Sequence, residues 1–375
     1  MGAIQSRFGV GPELSERHPS AQCRRHIQMR RALLEAHPES AALSGPDHRG
    51  AYAAIALLAL HWTVCWWVAQ TSILVVFLTA FFFGQVVIHA AGALLHDTAH
   101  RLVFRGRRAK LAFDLLLETI MTSFSLQLTY QHEHVSLHHP YMGNYERDYE
   151  HEDNCRLLAR RQFRHDHPGT EKLLVFGQLL VHLLPLGFLI ADRIFLPIYQ
   201  RATGRAVKDR LRRMDSTAPP PGERRLFMAV SLAALLFLFF AFGWLAVLYQ
   251  VWSLSIFRGK AGVTNRGQSL SEHPGDDDIN PTRSNYTWLN WLLFNTGYHN
   301  EHHTCPTVAW SRLPRLKALA PEIFNQADGQ SYFERWWRNV RADFRPSRRN
   351  QQQAEPDPAR CAKFTPIRPI NSPPG

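Results

Sequence analysis

Apolar residues gather into a few long runs along this chain. The first, residues 51–95, opens on AYAAIALLAL and closes on VVIHAAGALL, broken only by AQTS at Ala69 to Ser72. At about 1.5 Å per residue the run far exceeds one crossing of a ~30 Å hydrocarbon core. It predicts two transmembrane helices joined by a tight turn. Basic flanks, RRHIQMRR before and RLVFRGRRAK after, mark both ends of this hairpin as cytoplasmic. A second run, residues 226–257, would reach about 48 Å as one helix, and Gly243 between Phe242 and Trp244 is the expected turn. Its flanks, GERR and RGK, are basic as well.

Two further runs carry polar residues that a bilayer centre penalises. Residues 111–128 hold Asp114 and Glu118; residues 173–192 hold Gln178, His182 and Pro185. Both are expected to lie at the membrane surface. A crossing by 173–192 alone would put RATGRAVKDRLRR outside, against the basic-inside bias. The predicted architecture is therefore an all-α integral membrane protein with four transmembrane helices as two hairpins, plus interfacial helices. Residues 1–50 form a polar cytoplasmic segment, and residues 51–345 form the membrane domain. Within it, residues 264–345, with amphipathic stretches such as SYFERWWRNVRADF, make a cytoplasmic helical cap. Residues 346–375, rich in Pro, Gln and charge, are expected to be a disordered tail. No internal repeat is present.

Composition narrows the chemistry. The five cysteines (Cys23, Cys65, Cys155, Cys305, Cys361) are scattered, which argues against a disulfide framework and a thiolate metal site. The net charge of +12 points to an anionic membrane surface rather than to nucleic acid, since the basic residues flank apolar runs and form no basic domain of their own. No secretory signal opens the chain, and MGAIQS meets only a loose myristoylation pattern.

The histidines are not scattered. HDTAH places His96 and His100 four apart where the first hairpin leaves the membrane, on one face of a helix. HEHVSLHH supplies His132, His134, His138 and His139; HNEHH supplies His299, His302 and His303. His89 and His182, inside apolar runs, are expected to be satisfied core histidines, and the N-terminal ones to be solvated. The three clusters fall on the same side of the membrane because both hairpins return the chain there. Eight or nine converging imidazoles without thiolates are too many for one zinc. They fit two ions of a metal that accepts imidazole, and iron is the redox-capable choice.

In these three boxes the sequence resembles the integral-membrane fatty acid desaturase and hydroxylase superfamily, over roughly residues 50–325. HDTAH, HVSLHH and HNEHH stand in the family's order, and FNTGYHNEHHTCP is similar to the third box of the sphingolipid desaturase branch. That branch also carries SEH upstream, which nominates His273 as an extra ligand. The resemblance implies a di-iron site in the cap, held by His96, His100, His134, His138, His139, His273, His299, His302 and His303. Asp97 and Asp148 are candidates for orienting ligand rings, with Glu133 and Glu301 behind them. The second box, His134-x-x-x-His138-His139, is one residue longer than that branch's and resembles alkane hydroxylases; HDxxH with HNEHH also resembles carotenoid ketolases. A shorter box using His132 is the alternative.

By the same resemblance, the two irons activate O₂ to take hydrogen from an unactivated C–H bond, and no further acid, base or nucleophile is assigned. Desaturation is the expected outcome, with hydroxylation or ketone formation as the alternative. A lipid substrate is expected, together with an external donor: ferredoxin, rubredoxin or haem cytochrome, because the chain holds no nucleotide or haem motif. Arg210, Arg212, Arg213 and Arg258 are a candidate docking face for it. The expected location is a membrane, a bacterial inner membrane by composition, with both termini and the boxes cytoplasmic. The rival readings are a histidine-rich metal transporter, which would place ionisable residues inside its spans, and a zinc-dependent membrane hydrolase.

Overall fold

A computed structural model describes residues 20–143, 148, 176–177, 179–195, 219–273, 282–325 and 327–344. Among them every regular element is helical, and only isolated bridges occur. The predicted tail, 346–375, lies outside the described residues, as do Arg210, Arg212 and Arg213.

Helix α1 (Ala21–Ala36) precedes the first hairpin, α2 (Arg49–Val68) and α3 (Ile73–Ala99). The expected turn falls at Ala69 to Ser72, where Ser72 Oγ accepts from Val75 N–H at the start of α3. Helix α4 (Arg107–Met121) follows. Next comes α5, which runs from Leu126–Glu133 through His134–His138 to His139–Tyr141. The second hairpin is α6 (Pro221–Phe242) and α7 (Trp244–Arg258), broken at Gly243 as expected. Gly243 adopts φ 95°, a conformation L side chains rarely hold, and its N–H caps Phe239 O at 2.9 Å. Helices α8 (Val263–Glu272), α9 (His299–Thr304), α10 (Leu313–Leu319) and α11 (Tyr332–Phe344) build the cap.

Among the described residues three helices, α2, α3 and α6, are long and apolar enough to cross a bilayer. Helix α7, with 15 residues, is about 22 Å long and short of the ~30 Å core. The four-helix packing nevertheless involves it fully. Ile88, Leu94, Phe113, Leu117, Leu254 and Phe257 form one core among α3, α4 and α7. Near the hairpin turns Cys65, Val76, Leu238, Ala246 and Tyr249 form another. Gly84 lets α3 and α7 meet closely, since a methyl group there would fall within 3 Å of the Ser253 side chain. One polar bridge crosses this packing: His61 Nε2 donates to Gln250 Oε1 at 2.7 Å, and Gln250 Nε2 donates to Ile120 O at 2.9 Å. Because each buried polar group meets a partner, the bridge fixes register without the penalty of an unpaired group.

Helix α4, overlapping the stretch 111–128 expected at the membrane surface, turns its two acids into the protein. Asp114 and Glu118 are buried inside the protein and paired there. Thr98 Oγ1 and Lys110 Nζ donate to Asp114 at 2.9 and 2.6 Å; Ser123 Oγ donates to Glu118 at 2.8 Å, alongside Ser231 and Gln127. The acids thus avoid lipid by facing helices α3 and α6 rather than water. The cap has its own core of Leu33, Leu43, Val308, Leu313, Leu316 and Phe324, which clamps α1 against α10.

Candidate metal centre

The C-terminal ends of α3 and α8, the middle of α5 and the short helix α9 converge where the cap meets the bundle. Their histidines gather in two groups: His96, His100, His134, His139 and His302 in one, His138, His273, His299 and His303 in the other. Within each group one ligand atom per residue lies within 4.8 Å of all the others. All nine residues nominated for metal binding stand in these groups, and His132 stands in neither. Each group draws on elements distant in sequence, so the assembly exists only in the folded chain.

The longer second box is explained by its backbone. From His134 to His138 the helix widens into a π turn, and His139 N–H donates to His134 O, five residues back. In a regular α-helix residues five apart diverge by about 140°. The wider turn removes that divergence and brings His134 and His139 Nε2 to 3.1 Å. The additional residue is therefore absorbed without displacing a ring.

The nitrogen geometry fits cations. His273 and His299 Nε2 lie 2.6 Å apart, His303 Nε2 lies 3.0 Å from His299 and 3.3 Å from His138, and His302 Nε2 lies 3.2 Å from His139. Two imidazole nitrogens on one ion at about 2.1 Å and right angles stand about 3 Å apart. Proton sharing alone cannot satisfy the set, because a neutral ring has only one N–H to give. His96 and His100 Nε2 are buried with no hydrogen-bond partner among the described residues. Burial first, and like-charged neighbours second, hold His100, His134, His139, His299, His302 and His303 well below the ordinary imidazole pKa. The rings stay neutral at physiological pH, which leaves their lone pairs open to a metal.

Two carboxylates stand behind ligand rings. His138 Nδ1 donates to Asp148 Oδ1 at 2.8 Å, and Gly143 N–H donates to the other oxygen at 2.8 Å. Burial would raise the Asp148 pKa, but the charge and hydrogen bonding of His138 outweigh it and hold it at about 2. Glu272 Oε2 lies 3.3 Å from His299 Nδ1. Neither the Glu272 role nor that of His26 was visible in the sequence. His26, expected to be solvated, is buried on α1 with its ring 5.4 Å from that of His303. Its nitrogens meet Thr304 Oγ1 at 3.0 Å and Thr282 Oγ1 at 3.1 Å, and burial pushes its pKa to about 3. The position of Glu272 next to His273 in SEH was the available clue.

Asp97 departs from expectation. Its Oδ2 accepts the Trp310 N–H at 3.1 Å and ties α3 to the cap, rather than turning a ligand ring. Glu301 accepts from Ser284 Oγ and from Tyr286 OH, and so anchors α9 itself. His89 is buried, as expected of a core residue, but its Nδ1 has no partner. Of the arginines proposed for docking, Arg258 is described and sits over the Phe188 ring at 5.5 Å. If Asp148 orients a ligand, Asp148→Asn should weaken metal retention about 10- to 100-fold in a chelator competition, with the fold intact by circular dichroism.

The fatty acid desaturase family model matches residues 71–336 of this chain. Similar proteins include the sphingolipid delta(4)-desaturase of Schizosaccharomyces pombe, 25% identical over 320 residues that cover 80% of this chain and 77% of that one. Another is the Drosophila melanogaster sphingolipid delta(4)-desaturase DES1, 26% identical over 305 residues, 80% and 83% of the two chains. A third is the Homo sapiens sphingolipid delta(4)-desaturase/C4-monooxygenase DES2, 25% identical over 301 residues with the same coverage. No solved structure matches this chain.

Proposed function

Because this chain belongs to the fatty acid desaturase family, we propose that it is a membrane oxidoreductase that desaturates an alkyl chain of a sphingoid or acyl lipid, using O₂ and two external electrons. The observation that carries this reading is the pair of histidine groups, one per metal ion, at the mouth of the helical hairpins. His96, His100, His134, His139 and His302 would hold one iron, and His138, His273, His299 and His303 the other. When bound, such an iron pair supplies the O₂ activation that breaks unactivated C–H bonds.

The rest belongs to the chain's own residues. Burial keeps the imidazoles neutral. Asp148 and Glu272 fix the orientation of His138 and His299, so that their remaining nitrogens point inward. The cap, pinned by His26 and by the Asp97–Trp310 bond, shields the centre from water. The two hairpins act as the membrane scaffold, with the short α7 completed at its end by the cap, and the Arg-rich stretch after α3 keeps the histidines on the cytoplasmic side. An acidic one-electron carrier, such as a ferredoxin, rubredoxin or haem cytochrome, is the donor this reading requires. Arg30, Arg101 and Arg105 support its approach, since they share the wall of a cavity of about 540 Å³ with His100.

Hydroxylation is the second reading, favoured by the human relative whose name carries both activities. The longer second box adds no weight to it, because the π turn absorbs the additional residue. Mass spectrometry of total lipids from a host expressing the wild type, beside His302→Ala, tests the function. A product lighter by two hydrogens and absent from the variant is expected. A product heavier by one oxygen would establish hydroxylation, and identical lipid profiles in a host given iron and donor would contradict both.

A further inference from the structure

The cap turns aromatic side chains outward at one level of the bundle. Trp288 and Trp291, at the one-turn helix Leu289–Leu292, are 78% and 77% exposed. The turn that carries them is held firmly. Asn290 Oδ1 accepts the Gly297 N–H at 2.7 Å, and buried Leu293 packs with Ala90 of α3 and Tyr332 of α11. On α11, Phe333 and Trp337 are exposed as well, one turn apart on the same side. Neighbours fix this helix too: Trp336 Nε1 donates to Lys260 O at 2.9 Å, and Arg335 pairs with Asp328. Large aromatic rings thus face outward from anchored backbone, and an exposed apolar patch of that kind marks a contact surface.

The neighbouring structure says what covers them. Val86 of α3 packs in the Leu293 cluster and also lines a cavity of about 360 Å³ with Phe82, Phe333 and Trp337. Phe82 is 71% exposed on a helix long and apolar enough to cross a bilayer, so the aromatic surface continues a lipid-facing one. Length points the same way. From the hairpin turn at Ser72 to Val86, α3 rises about 21 Å, close to the ~22 Å of α7. Both fall about 8 Å short of a ~30 Å hydrocarbon core. Amphipathic segments at a bilayer surface bury their apolar face by about 5–10 Å, which makes up that difference. Charge agrees as well: Arg338 and Arg341 are exposed, one residue and one turn beyond Trp337.

We propose that the cap is seated in the bilayer. Trp288, Trp291, Phe333 and Trp337 sink into the leaflet on the histidine side, and Arg338 and Arg341 meet its anionic phosphates. The seat supplies the depth that α7 lacks, and it holds His96, about 15 Å beyond Val86 along α3, clear of the lipid. The inference rests on the bilayer placement of the hairpins and is independent of the assigned chemistry.

The test places the full-length protein, labelled with fluorotryptophan, in nanodiscs of phosphatidylcholine and phosphatidylglycerol. Fluorine resonances are assigned by single tryptophan-to-phenylalanine variants. A lipid carrying a nitroxide at the top of its acyl chain is expected to erase the Trp288, Trp291 and Trp337 resonances, whereas a water-soluble gadolinium chelate leaves them visible. Trp310, which packs on Phe294 within the cap, should survive both reagents. Omitting phosphatidylglycerol should shift the Trp337 resonance, and the variant Arg338→Gln/Arg341→Gln should lose that shift. Erasure by the gadolinium chelate would put the rings in water and overturn the proposal. Survival against both reagents would place a protein partner or a second copy of the chain over them and overturn it equally. A Trp337 resonance indifferent to phosphatidylglycerol in the parent chain would remove the anionic contact.

Discussion

Replacing His303 with alanine should abolish lipid oxidation, lowering product to at least about 100-fold below wild type, and should cut bound iron from two per chain to one or none. His303 joins the two groups. Its Nε2 lies 3.0 Å from that of His299 and 3.3 Å from that of His138, and its ring stacks on His139 of the other group at 4.3 Å between centroids. Removing it leaves three ligands where four converged and opens a buried hole between the two sites. Losing even a residue that merely supports a ligand typically costs 10- to 100-fold in metal affinity, so loss of a ligand costs more. Iron content by elemental analysis separates this from misfolding when paired with circular dichroism. A folded variant that keeps two irons and full turnover would remove His303 from the centre.

Stripping the metal should lower the midpoint of thermal unfolding by about 10 °C. Nine nitrogen donors crowd together in a buried space, and without a cation their lone pairs oppose one another. A ligand held by the folded state alone stabilises it by about 4 kcal/mol at a thousandfold excess over its dissociation constant. Each kcal/mol is worth roughly 2–4 °C in a domain of a few hundred residues. Scanning fluorimetry before and after treatment with a chelator, then after iron is restored, would read the shift. An unchanged midpoint would mean that packing alone holds the histidines together.

The convergence of eight histidines was legible from box spacing and hairpin topology, and the ninth, His273, from the resemblance alone. Four-residue spacing aligns His96 with His100 whatever surrounds them, and both hairpins had to return to one side. The π turn was not legible. Whether a helix widens depends on packing against its neighbours, so HVSLHH left a shorter box using His132 open as the alternative. The pairing of Asp114 and Glu118 was not legible for a related reason. Their cost in a bilayer is evident from sequence, but their partners Thr98 and Ser231 come from other helices. Glu272 and His26 belong to the same class: each reaches the centre through a contact that only the tertiary fold creates. Asp97 shows the converse, since adjacency to His96 in sequence sent its carboxylate to Trp310 rather than to a ring. Gly243 was plain in advance because its left-handed backbone is a local demand.

Whether the two groups of histidines hold two irons is read from the metal content of the purified full-length protein, by elemental analysis together with Mössbauer spectroscopy after growth on ⁵⁷Fe. Two irons per chain in nitrogen-rich environments are expected. One zinc per chain, with no iron after reconstitution, would contradict a di-iron centre.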